Sequence, residues 1–179
     1  IKGSSKYYHA SLGVKHDSFD HNGKDGANNV DLTKLIDEKY HDKYNIVTNF
    51  GNSEHCGERD DQYVVFDNID KLCSRGGIMI HNVPHTGNWP GHGNVWYTID
   101  FFKALAKIYK YDIFALEIQE RRGRLNSEDL KNAPKDSNGN LLVDGTLQDM
   151  VTCIVGKRED GIVVSKEDFF FCDKYIMNS

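Results

Sequence analysis

The chain has 179 residues, 39% of them hydrophobic, which suits one globular domain with a real core. A formal charge of -5 and a pI near 5.9 argue against a polyanion as partner, because the basic run Arg121-Arg122-Gly123-Arg124 is diluted by neighbouring acids and reads as a solvated loop. Cys56, Cys73, Cys153 and Cys172 are widely spaced without a CxxC pair, and there is no apolar leader or bilayer-length run, so a reduced, cytoplasmic protein without a membrane partner is expected.

In chain order, residues 4–12 predict a short helix, with Ser4 or Ser5 as cap and Gly13 as stop. A strand is expected over 14–20, a glycine- and asparagine-rich loop over 21–29, a brief extended piece over 30–32 and a polar helix over 33–42. Residues 45–50 read as a buried strand. From 62 to 73, Val65, Phe66, Ile69, Leu72 and Cys73 share one helical face, and Gly76-Gly77 stops that helix before a strand over 78–81. Thr98 caps a helix with the stripe Phe101, Phe102, Leu105, Ala106 and Tyr109, and 112–118 follows as a strand. Strand and helix in turn predict a parallel sheet with helices on both faces. The charged stretch 121–147 reads as an excursion before a last strand over 149–155. Behind it, residues 162–164 and the rings of Phe169, Phe170 and Phe171 form a tail that must pack somewhere.

The segment 78–98, IMIHNVPHTGNWPGHGNVWYT, is the densest in chemistry. His81, His85 and His92 are competent for proton transfer or metal binding near neutral pH, glycines and prolines set an irregular backbone, and Trp89, Trp96 and Tyr97 offer flat apolar walls. Large rings also commonly seal the end of a small sheet, and His81, ending a strand, also reads as a core histidine.

The succession SFDHNGKDGANNVDL, YNIVTNFGNSEH, a helix, GGIMIHNVP and FFKALAKIYKYDI resembles the later two-thirds of a class I S-adenosylmethionine-dependent methyltransferase, over residues 1 to about 156. The resemblance implies a Rossmann-like α/β fold: a mostly parallel twisted sheet, helices on both faces and an antiparallel last strand, in a single domain over 1–179. It implies S-adenosylmethionine at the carboxyl ends of the strands. Asp20 takes the place that holds the ribose hydroxyls, where a carboxylate accepts both hydrogen bonds of a vicinal diol. Asp31 and Leu32 take the place that meets the adenine, although Asp31 equally suits the cap of the following helix. Asn49, Phe50 and Gly51 fall where the methionine end lies, and Gly3 where the glycine-rich loop ends. The first strand has no counterpart, and an amino-terminally incomplete domain is the reading that avoids exposing two strand edges.

The implied chemistry is methyl transfer to a small-molecule or sugar-like acceptor, with His85 or His92 as general base and Trp89, Trp96 and Tyr97 walling the acceptor pocket. Some relatives bind a divalent ion through a Glu-His pair after the fourth strand plus a later histidine. Glu54-His55 matches the pair, Gly51 stands where those relatives carry a further acid, and His81 or His85 would compensate. Such ligands suit zinc, iron or manganese. Two rivals stand beside this reading: a non-catalytic methyltransferase-like binding or assembly subunit, and a metal-dependent hydrolase using Glu54, His55 and His81.

Overall fold

Among the residues that the computed structural model describes, 5–85, 92–122 and 147–178, the elements follow in chain order as α1 (Ser5–Ser11), β1 (Phe19–Asp20), β2 (Asn28–Asn29), β3 (Tyr44–Phe50), α2 (Gln62–Leu72), β4 (Cys73–Pro84), β5 (Val95–Tyr97), α3 (Ile99–Tyr109), β6 (Asp112–Arg122), β7 (Leu147–Gly156), α4 (Lys166–Asp173) and β8 (Ile176–Asn178). The main sheet has four strands in the order β3-β4-β7-β6. β3 and β4 are parallel, with Asn49 opposite His81 and Phe50 opposite Asn82. β7 lies between β4 and β6 and runs antiparallel to both.

The expected mostly parallel, Rossmann-like sheet is therefore corrected to a mixed α/β arrangement in which antiparallel pairing dominates. β1 and β2 make a separate two-stranded sheet, and β5 pairs antiparallel with β8 in another. The strand expected over 14–20 shrinks to Phe19–Asp20, and Gly23, Asp25 and Gly26, all at positive φ, turn the chain after it. The helix expected over 33–42 is reduced to a single 3-10 turn, Glu38–Tyr40, capped by the Asp37 carboxylate. Asp31 makes the same kind of bond, its Oδ1 accepting from both the backbone and the hydroxyl of Thr33 at 3.0 and 2.6 Å, but the turn it closes is not continued into a helix. The excursion over 121–147 lies almost wholly outside the described residues.

Helices were expected on both faces, yet the described core gathers on one. Met79, His81 and Val83 of β4 and Val151, Cys153 and Val155 of β7 alternate inward, where the stripes of α2 and α3 meet them. Thr98 caps α3 by accepting from the Phe101 amide. Of the three tail phenylalanines, Phe169 is buried, while Phe170 and Phe171 stay exposed because a helix of only eight residues offers the core one side. Each fully buried large apolar side chain contributes about 1.5–3 kcal/mol relative to exposure. Lys157, just past β7, donates to the carbonyls of Asp70 and Cys73 at 2.8 and 2.9 Å and pairs with Asp42 and Asp70 at 3.2 and 3.3 Å. Its charge meets the carboxyl end of α2, where the helix dipole is negative, and ties β7 to it. No helix among the described residues is long and apolar enough to cross a membrane.

Candidate metal centre

β3 ends in a tight turn built by its own last residues. Asn49, buried, accepts from the Ser53 amide at 3.1 Å and donates to the Ser53 hydroxyl at 2.9 Å, which shapes the 3-10 turn Ser53–His55. Gly51 supplies the positive φ of 62° that the turn needs. The Asn49 amide nitrogen also faces His81 Nδ1 at 3.3 Å. Since that nitrogen only donates, Nδ1 accepts and the His81 proton sits on Nε2, which finds no hydrogen-bond partner among the described residues and lies near the rings of Phe66 and Phe102. Burial pushes the His81 pKa down to about 4.

The turn presents Glu54, whose side chain is fully buried with neither carboxylate oxygen hydrogen-bonded among the described residues. His55 Nε2 and His92 Nε2 each stand 3.8 Å from Glu54 Oε1, too far for a hydrogen bond and close enough to share an ion. One ligand atom from each of the three residues falls within 4.8 Å of the others. Burial raises the Glu54 carboxyl to about 7 and lowers the His55 imidazole, so both are held toward their neutral forms. The two imidazoles cross nearly at right angles, and each is partly exposed, which leaves the centre open on the histidine side.

Asn94 and Trp96 hold the His92 segment in place. The Asn94 amide donates to the Glu54 carbonyl at 2.7 Å, its side chain to the Gly57 carbonyl at 3.0 Å, and the Trp96 indole to the His92 carbonyl at 3.0 Å. Gly93 allows the approach: at φ 78°, a Cβ there would lie 2.9 Å from Glu54 Cγ and 3.1 Å from its carbonyl oxygen.

The cluster thus brings together Glu54 and His55, as the sequence expectation had them, with His92 rather than His81. His81 points into the aromatic core on the β4 side, so it is a core histidine. His85, half-buried, forms an isolated bridge with Tyr97 at the end of β4, and its amide donates to the Asp149 carbonyl. Trp96 braces His92. Tyr97, expected to wall an acceptor pocket, is fully buried, and its hydroxyl donates to Gln62 at 2.6 Å, so it acts inside the fold. Gly3 and Trp89 lie outside the described residues.

Asp20 ends β1, and Asp31 follows β2 by two residues. Asp20 accepts from the Asn22 amide, while the Asp31 carboxylate is held to about 2 by hydrogen bonds from Lys34 and Thr33. Leu32 is buried with Ile36 and Leu72, against which Cys56 also packs. The Cys56 thiol is pushed up to about 11, first by burial and then by the charges of Glu54, Asp31 and Asp20. Phe50 is exposed. Gln62 and Asn94 were missed in the sequence; an amide opening a helix and another in a glycine-rich loop carry no local mark of what they bind.

Comparison with protein-family models and with curated proteins returned no match. Among solved structures, the crystal structure of the YcgJ protein from Bacillus subtilis is similar, with a TM-score of 0.46 and 10% sequence identity, over 87% of this chain and 77% of that one. At that level the likeness carries no argument about activity.

Proposed function

We propose that Glu54, His55 and His92 hold a divalent cation, and that this centre serves a group-transfer enzyme acting on a small acceptor. The observation that carries the reading is Glu54: a fully buried carboxylate with no hydrogen bond among the described residues, facing two imidazole nitrogens at equal distance. Burying such a group unpaired costs several kcal/mol, which a bound cation offsets. The donors fit zinc, manganese or iron, as two imidazoles and one carboxylate do elsewhere. When bound, such an ion supplies Lewis acidity, polarising an acceptor oxygen or lowering the pKa of a bound hydroxyl.

Methyl transfer from S-adenosylmethionine is the specific reaction that the sequence resemblance implies, and that resemblance is what supports a donor site beside the cation. On this reading Asp20 accepts from the ribose hydroxyls, Leu32 packs on the adenine, and Asn49 to Gly51 border the methionine end. With His92 committed to the cation, His85 remains as the residue to take the acceptor proton. The same donor set also suits a metal-dependent hydrolase, in which the activated oxygen is water. Calorimetry with S-adenosylmethionine, in the presence and absence of manganese or zinc, separates the two. Metal binding with cofactor binding supports methyl transfer, metal binding alone leaves the hydrolase, and absence of metal binding ends the proposal.

A further inference from the structure

Gln62, the first residue of α2, is fully buried rather than facing solvent as glutamine commonly does. Its side-chain nitrogen instead reaches back to three backbone carbonyls, those of Cys56 at 2.9 Å, Ser53 at 3.4 Å and Glu58 at 3.5 Å. These carbonyls bracket Glu54 and His55. Its side-chain oxygen accepts from the Tyr97 hydroxyl, and Tyr97 ends β5, the strand that follows His92 and Asn94. One amide therefore joins the two chain segments that bear the ligand atoms, and both of its functional ends are used. The bond lies in the core among Phe66, Phe101 and Phe102, where little competes with it.

We infer that Gln62, through its hydrogen bond to Tyr97, is a positioning residue that sets the distance between the Glu54-His55 turn and the His92 segment. The inference rests on the reading of Glu54, His55 and His92 as a cation centre. Residues supporting ligands in this way commonly govern metal affinity by tenfold or more, because they fix where the ligand atoms stand before the ion arrives.

The test is a titration of the full chain with cobalt(II), followed by its visible absorption and by calorimetry. Gln62→Met removes both amide functions at similar volume, and Tyr97→Phe removes the hydroxyl alone. Each is expected to weaken cobalt binding about tenfold and to alter the visible band, and the double variant is expected to be no weaker than the worse single one, since both break one linkage. Should Gln62→Met fail to fold, Tyr97→Phe decides by itself. Variants that melt earlier without metal, yet bind cobalt with wild-type affinity and spectrum well below their melting points, would overturn the inference while leaving the cation centre intact. If the wild type binds no cobalt, or Glu54→Gln binds it as well as the wild type, the centre itself fails and the inference falls with it.

Discussion

Glu54 occupies a position that packing alone would give to a leucine or methionine, since its carboxylate finds no hydrogen bond among the described residues. Retaining it costs the metal-free fold stability. Glu54→Gln is accordingly expected to abolish cobalt or manganese binding while raising the melting temperature of the metal-free protein at pH 8; a variant melting at or below the wild type there counts against the assignment. Gly93 tests the same centre through sterics. At its positive φ a methyl group is strained and meets the Glu54 side chain, so Gly93→Ala is expected to lose about 1–3 kcal/mol of stability and to weaken metal binding, measured by denaturant unfolding and calorimetry. At this scale the adjacent Glu54-His55 pair was legible from sequence. The choice of His92 over His81 was not, because it depends on which face of β4 is buried and on a loop that returns to the Glu54 carbonyl.

Elements were legible where their period is strong. The stripes of α2 and α3 follow from spacing, and both helices bury the residues that the spacing selects. Short polar segments were not, because carboxylates such as those of Asp31 and Asp37 bond the amide two residues on in isolated turns as readily as at a helix start, so a cap signal by itself does not establish a helix. Strand direction was also hidden. An apolar run pairs with either polarity, and only the return of β7 between β4 and β6 makes two of the main sheet's three pairings antiparallel. Lys157 holds that return against α2. Lys157→Met removes three donated bonds and leaves Asp70 buried without its cation, so a loss of about 3–5 kcal/mol in urea unfolding is expected, and a loss under about 1 kcal/mol would show the pairing to be incidental.

Across the whole molecule, two buried ionisable groups oppose each other. His81 titrates near 4 when folded against 6.5 as a free group, so from pH 6.5 down to 4 the unfolded chain takes up a proton that the fold refuses, and stability falls with acid. Glu54 titrates near 7 against 4.5, so from pH 4.5 up to 7 the fold keeps a proton that the unfolded chain releases, and stability of the metal-free protein falls with base. Each contribution is on the order of 3 kcal/mol, and their slopes cancel over the shared window. His81→Leu is expected to expose a stability that declines from pH 4.5 to 7, and Glu54→Gln one that climbs from pH 4 to 6.5. Urea unfolding of the metal-free proteins across that range measures both slopes, and parallel profiles for the two variants would contradict the assignment. By itself the sequence determined the amphipathic helices, the apolar strands and the concentration of histidines near residues 81 to 92, because these depend on neighbours a few residues apart. Tertiary structure alone decided strand polarity, the withdrawal of His81 and Tyr97 into the core and the meeting of His92 with Glu54 and His55, since pairing and burial join residues that local periodicity does not connect.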